Sequence, residues 1–217
     1  MNRRTLVLLI SALMLAAFSA AAFFQLRTTP PPQEQAAPAV QDRSTLVRFH
    51  APTFGPANAP VTLVEFFDPS CEGCRAFYPI VKDIIEESSG DVRLVLRYVL
   101  FHQGSEEVAR MLEAARKQDV FPQVLEAVLA AQPGWHDDPQ VAKAWEAAAA
   151  AGLNIDKART DMYSPEVDAV LMTDMQDANT VGVKSTPTFF VNGQPLTEFG
   201  SEPLRQLVRS EIAKTRE

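Results

Sequence analysis

Two kinds of apolar patterning succeed one another along the chain. From Val61 to Phe67 seven consecutive positions, Val-Thr-Leu-Val-Glu-Phe-Phe, are β-branched or aromatic apart from one leucine and one glutamate, the composition of a buried strand. Asp68-Pro69-Ser70 breaks that strand and offers helix-capping side chains. Beyond the break the spacing becomes helical: Phe77, Ile80, Val81, Ile84 and Ile85 form one apolar stripe, predicting a helix that opens at Cys71 and ends at Ser88-Ser89-Gly90. Pro79 lies inside it, and the backbone hydrogen bond it removes predicts a kink. Val92 to Leu100 is again strand-like and, reached through a right-handed crossover, is expected to run parallel to the first strand. Upstream, Leu46-Val47-Arg48-Phe49 predicts a short strand, and the Pro- and Gly-containing stretch Ala51 to Pro60 a turn.

From Gly104 to about Gly182 no strand pattern occurs. Val108, Met111, Leu112 and Ala115 line one helical face, and Val120, Val124, Leu125, Val128 and Leu129 the next. Trp145 and the alanine run Ala147 to Ala151, then Leu153 to Met162 and Pro165 to Ala178, predict further helices, with the Pro133-Gly134-Trp135-His136 loop among them. Helix packing accounts for the Met and Trp residues of this segment. Thr188 to Val191 and Gln194 to Thr197 then flank Asn192-Gly193, a strong hairpin signal. Glu202 to Lys214 closes the chain as an amphipathic helix with Leu204, Leu207, Val208 and Ile212 inward. The order β, β, α, β, helical insert, β, β, α places the chain in the α/β class, with an inserted helical subdomain over about 104–182.

The first 27 residues differ from the rest. Arg3 and Arg4 precede 22 uncharged residues, Thr5 to Leu26, and Arg27 follows. Residues 1–27 are an export element, a cleaved signal peptide or an uncleaved anchor; the length of the apolar run favours the anchor and Ala20-Ala21-Ala22 a cleavage site. Either way the remainder is placed outside the cytoplasm, in a periplasmic or other extracytoplasmic compartment, with residues 5–26 as the inner-membrane tether if uncleaved. Residues 28–44, rich in Pro, Gln, Ala and Thr, read as a disordered linker, leaving residues 45–217 as the folded domain. Setting aside Arg3, Arg4 and Arg27 leaves 17 basic residues against 27 acidic, a balance that argues against nucleic acid as a partner. The 47% hydrophobic and 22% charged composition is that of an ordinary globular protein and names no function.

The chemistry lies in Cys71-Glu72-Gly73-Cys74, which holds both cysteines of the chain. A thiol at a helix N-terminus meets free backbone N–H groups and the positive end of the helix dipole, which favour the thiolate. Cys74, three residues on, lies on the same face and can close or open a disulfide with Cys71. A structural disulfide is the plain alternative, but a bridge across so short a loop restrains the unfolded chain little. A zinc site would need further Cys or His ligands, and His50, His102 and His136 do not repeat at ligand spacing.

With Cys71-Glu72-Gly73-Cys74 at its first strand-to-helix junction, this element order resembles the thioredoxin fold, and the helical insert before the hairpin resembles its DsbA-like branch of exported thiol:disulfide oxidoreductases. The resemblance spans roughly residues 45–215. Beyond the cysteines it is carried by Glu65, at the family's buried acidic position, and Pro79, at its active-site helix proline. Thr186-Pro187 matches its cis-proline loop, and Val191-Asn192-Gly193 its strand-to-turn sequence. It implies that Cys71 forms the mixed disulfide, that Cys74 resolves it, that Glu65 moves protons to and from Cys74, and that Thr186-Pro187 holds the substrate chain. It implies no cofactor beyond the redox-active pair, no metal, and as partners exported cysteine-containing proteins and a membrane redox protein. Between the cysteines the sequence departs from the family's strong oxidases, which carry Pro-His; Glu72 is expected to oppose a thiolate on Cys71 and make the potential milder. A reductase or isomerase fed by a membrane electron donor, and a non-catalytic chaperone or metal-binding module, are the alternative functions.

Overall fold

The computed structural model describes residues 43–216 together with Asn2. The expected export element, and the expected linker up to residue 42, lie outside the described residues. Among the described residues no helix is long and apolar enough to cross a membrane.

The elements follow in the order β1 (Thr53–Phe54), β2 (Val61–Phe67), α1 (Glu72–Glu87), β3 (Val92–Tyr98), α2 (Ser105–Arg116), α3 (Phe121–Ala131), α4 (Ala142–Ala150), α5 (Ile155–Asp161), α6 (Pro165–Thr180), β4 (Thr188–Val191), β5 (Gln194–Pro195) and α7 (Ser201–Lys214). The sheet runs β1-β3-β2-β4-β5, with β2 and β3 parallel and the other pairs antiparallel. Two expectations about boundaries differ from this. Leu46 to Phe49 is not a strand: Leu46 is buried in a second apolar cluster while Phe49 faces solvent, and the edge strand is instead Thr53–Phe54, within the stretch read as a turn. The third strand ends at Tyr98 rather than Leu100. The hairpin forms as expected, with Asn192 and Gly193 both at positive φ (50° and 86°), the conformation that an Asn-Gly pair tolerates.

Strand β2 is central and buried on both faces. Val61, Leu63 and Phe67 join the cluster that α1 and the insert cover, while Val64 and Phe66 join Val95, Ala178 and Phe190 on the other side. Since side chains alternate along a strand, Glu65 falls between Leu63 and Phe67 on the face beneath α1. It pairs laterally with Leu96 of β3 and Phe189 of β4. The ring of Phe77 on α1 lies 5.4 Å from Phe189 and 4.6 Å from Phe199, seating the helix on that face.

The opposite face of β3 carries Arg97, fully buried. Its guanidinium donates to Asp174 (2.8 Å) and Asp177 (2.6 Å) of α6 and to the carbonyls of Thr45 and Leu46 (both 2.9 Å). Arg48 adds two bonds to Asp177, and Asp174 also accepts from the backbone N–H of Tyr98. This network ties α6 and the segment before β1 to the sheet. Arg97→Met is expected to leave two carboxylates buried without their main cation and to destabilise the fold by about 3–5 kcal/mol in denaturant titration. A change below about 1 kcal/mol excludes the network as a structural tie.

Candidate active site

The two thiols sit where β2 hands over to α1. Asp68, the first residue after the strand, is fully buried and its carboxylate accepts from Ser70 N (2.8 Å), Ser105 Oγ (2.5 Å) and Phe101 N (2.8 Å), with His102 Nδ1 at 2.8 Å. It therefore braces the turn against the loop that follows β3 and does not cap α1. The N-cap position is taken by Cys71, in an extended conformation (φ −76°, ψ 123°), so that the helix begins at Glu72. The sulfur of Cys71 makes no capping hydrogen bond to the first turn in this geometry, but its position places it at the positive end of the helix.

Both cysteines are free thiols in this structure, Cys74 fully buried and Cys71 7% exposed. The Cys71 Sγ donates to the backbone carbonyl of Thr186 at 3.2 Å. A hydrogen bond from the Cys74 thiol pulls the Cys71 pKa down to about 5 against the opposing effect of burial, helped by the Thr186 side chain and the backbone N–H groups of Cys74 and Gly73. Burial pushes Cys74 far in the other direction, although Asp68 N–H lies 3.4 Å from its sulfur. The two thiols are thus displaced in opposite directions, Cys71 toward the thiolate and the more deeply buried Cys74 toward the thiol. The Glu72 side chain is 67% exposed and comes within 3.9 Å of His136 Nε2; the groups that set the Cys71 pKa are Cys74, Thr186 and the first-turn backbone.

The peptide bond between Thr186 and Pro187 is cis, as the resemblance implies, and the loop lies against the cysteine turn. A β-carbon on Gly73 would stand 3.1 Å from Pro187 Cδ and 3.4 Å from Cys71 Sγ, so the glycine permits the loop to approach. The Thr186 hydroxyl is buried and has no hydrogen-bond partner while Cys71 is protonated. Once Cys71 loses its proton the sulfur no longer donates to the carbonyl, and the hydroxyl is a donor available to it. Thr186→Val keeps the carbonyl and removes only this donor. It is expected to raise the pH midpoint of Cys71 alkylation by about one to two units, the equivalent of roughly 1.5–3 kcal/mol for a bond to a charged group. An unmoved midpoint excludes the hydroxyl as a thiolate donor.

Glu65 is 3% exposed and its Oε1 has no partner. It lines a cavity of about 160 Å³ whose walls are apolar, including Phe54, Phe67, Leu94 and Leu125, with Lys82 and Glu126 also at its edge. Burial, reinforced by charge on Cys71, raises its pKa to about 8. A carboxyl group that titrates close to neutrality beneath a buried thiol is chemically able to exchange a proton with it. No group of three or more His, Cys, Asp or Glu side chains able to hold a metal occurs among the described residues.

The structure brings Glu65, Cys71, Glu72, Gly73, Cys74, Thr186 and Pro187 to one place. Two contributors have no mark in the sequence reading, Arg75 and Gln132, and Asp68, read there as a cap, serves instead as a brace. Gln132, fully buried, reaches the turn from the end of α3, and its only sequence signal is a polar residue between an apolar helical run and a proline. The Pro133–His136 loop folds back on the insert: Trp135 is buried, its indole N–H on Val128 O, and His136 adjoins Glu72.

Known proteins share this arrangement. A family model described as Thioredoxin matches residues 50–209. Among solved structures, a thioredoxin-like oxidoreductase from Silicibacter pomeroyi superposes with a TM-score of 0.69 at 27% identity, covering 82% of this chain and 98% of that one. BdbD from Bacillus subtilis in its oxidised form gives 0.67 at 24%, over 82% and 98% of the two chains, and Wolbachia pipientis alpha-DsbA1 gives 0.68 at 17%, over 79% and 95%. A curated relative, the Na(+)/H(+) antiporter NhaA of Herminiimonas arsenicoxydans, is 32% identical over 142 residues, 65% of this chain but 22% of the antiporter. The chain thus spans about a fifth of the length of the curated relatives it matches. Because the matched span takes in the βαβ unit, the cysteine turn and the loop that faces it, this chain belongs to the thioredoxin family, in the DsbA-like form of its fold.

Proposed function

We propose that the protein is an exported thiol:disulfide oxidoreductase that exchanges disulfides with cysteines of other exported proteins through Cys71 and Cys74. The observation that carries this reading is the geometry of the thiol pair, Cys71 at the start of α1 with Sγ 3.2 Å from the Thr186 carbonyl of the cis-proline loop and Cys74 fully buried within the same turn, surroundings that move the two thiols in opposite directions. In the reducing direction the Cys71 thiolate attacks one sulfur of a substrate disulfide, forming the Cys71–substrate bond and releasing the other substrate sulfur as a thiolate. Cys74 then loses its proton to the ionised fraction of Glu65, which is the minor form at neutral pH and grows as pH rises toward 8, and attacks Cys71 Sγ. The substrate leaves as a second thiolate, two electrons have passed to it, and Cys71–Cys74 is a disulfide. Oxidation of a substrate dithiol is the same sequence in reverse.

A thiolate stabilised in the reduced form favours the dithiol over the disulfide and so inclines the pair toward oxidising its substrates. Glu72, between the cysteines, is expected to act the other way, toward a milder potential. The Thr186-Pro187 loop holds an extended substrate strand beside Cys71. Residues 5–26 place the domain at the outer face of the inner membrane, and a membrane redox protein regenerates the pair. Equilibrating the full chain with glutathione buffers tests the reading: a reversible two-electron couple that is lost in Cys71→Ala supports it, and its absence in the native chain overturns it. Trapping the pair in cells by alkylation tests direction, mostly oxidised for an oxidase and mostly reduced for a reductase or isomerase.

A further inference from the structure

The helical insert touches the cysteine turn through one fully buried amide. Gln132 follows α3 in a 3-10 turn, Gln132–Gly134, and its Nε2 donates to Pro69 O at 2.7 Å and to Cys71 O at 3.0 Å. Its Oε1 accepts from Arg75 Nε at 3.0 Å, so every polar atom of the amide is used. The residues joined are 61 and 63 apart in sequence. The other bonds that place the Cys71 backbone are local: its N–H donates to Asp68 O (3.1 Å) and its carbonyl accepts from Arg75 N (3.2 Å). Asp68 is braced separately by Ser105 and His102, and Gln132 is the side chain that reaches the Cys71 carbonyl itself from the insert.

We propose that Gln132 is a positioning residue of the exchange reaction: by gripping Pro69 and Cys71 from the insert, it keeps the Cys71 sulfur in line with the first N–H groups of α1. An N-cap acceptor works only while it faces those groups, and their pull on charge fades within the first turn of a helix. Release of the turn lets the sulfur move away from them while leaving sheet, helix and cysteine spacing as they are. The helical insert then has a chemical task, to set how readily Cys71 ionises. A partner seated on the insert that displaced the Gln132–Gly134 turn would alter the same property from a distance.

The inference rests on Cys71 being the attacking sulfur, and the test separates the two. In the reduced full chain, the rate of iodoacetamide alkylation at Cys71 is followed by mass spectrometry against pH. The native chain decides the parent reading: a midpoint near that of an ordinary thiol removes it, whatever Gln132 does. Q132M keeps the length and bulk of the side chain and removes both donors; its midpoint is expected about one pH unit higher, with about a tenfold shift of the glutathione equilibrium toward the disulfide. W135F is the comparison, because it deletes a buried hydrogen bond of the same turn, to Val128 O, that does not touch the cysteine turn. It is expected to lower the melting temperature without moving the midpoint. If Q132M does not fold, Q132N, which draws the amide back by one methylene, carries the same expectation. A Gln132 variant that melts earlier but ionises as the native chain does overturns the proposal and leaves Gln132 a packing residue.

Discussion

Cys71→Ala is expected to bring thiol–disulfide exchange down to the uncatalysed rate, whereas Cys74→Ala, which also removes the donor that most lowers the Cys71 pKa, is expected to retain a slowed first attack and accumulate mixed disulfides. The asymmetry follows from position. A thiol titrating at about 5 is almost wholly ionised at pH 7, where an ordinary cysteine is a few per cent thiolate, so Cys71 presents roughly thirty times more nucleophile before any effect of substrate binding. Cys74 is fully buried beside Cys71, and burial favours its thiol form. Removing it takes away the step that expels the substrate and leaves the step that captures it. Non-reducing electrophoresis of cells expressing each variant reads the difference directly: a ladder of adducts with Cys74→Ala and none with Cys71→Ala. Adducts in equal amount from both variants contradict the assignment of roles.

Glu65→Gln is expected to make the reduced protein more stable in mild alkali and slower in exchange. The folded chain keeps the Glu65 proton up to about pH 8, while an unfolded chain releases it near 4.5. Between these values the native state binds a proton that the unfolded state does not, so this group leaves stability untouched below pH 4.5 and erodes it as pH rises toward 8. At about 1.4 kcal/mol per pH unit the loss is bounded at roughly 4–5 kcal/mol above that range. Glutamine carries no charge and escapes the loss. Denaturant titrations of the two reduced proteins should nearly coincide at pH 4 and separate by about 3–5 kcal/mol at pH 9. The same substitution removes the proton acceptor for Cys74, and a general base typically contributes about 10²-fold or more, so the mixed disulfide with a model peptide should outlive the native one by that factor. Equal lifetimes exclude Glu65 from the proton transfer, and equal pH dependence of stability contradicts its buried, ionisable state.

Strand β2, the start and end of α1, the hairpin and the closing helix were legible because each rests on local chemistry. The run from Val61 to Phe67 has no polar face to expose, Ser88 to Gly90 stops a helix, and Asn192-Gly193 tolerates positive φ at both positions. Leu46 to Phe49 misled because four residues of mixed pattern do not specify a strand. Leu46 is drawn into the cluster with Phe66 and Val95, and Arg48 is held by Asp177, 129 residues away. Glu72 has a neighbour that no local pattern announces, His136 Nε2 at 3.9 Å, brought there by the helical insert.

By itself the sequence determined the α/β order, the placing of two thiols at a strand-to-helix junction, and the alternation that puts Glu65 on the face of β2 beneath them. These follow from periods of two and 3.6 residues and from turn-forming side chains, all written within a few neighbouring positions. Tertiary structure alone decided which groups surround the sulfurs: the Thr186 hydroxyl and carbonyl from the loop before β4, the Gln132 amide from the insert, the Asp68 brace to the loop after β3, and the apolar walls that lift Glu65. Ionisation of a thiol depends on the hydrogen bonds and burial it meets in space. Residues separated by 61 and 115 positions supply much of both, and no local pattern encodes their meeting.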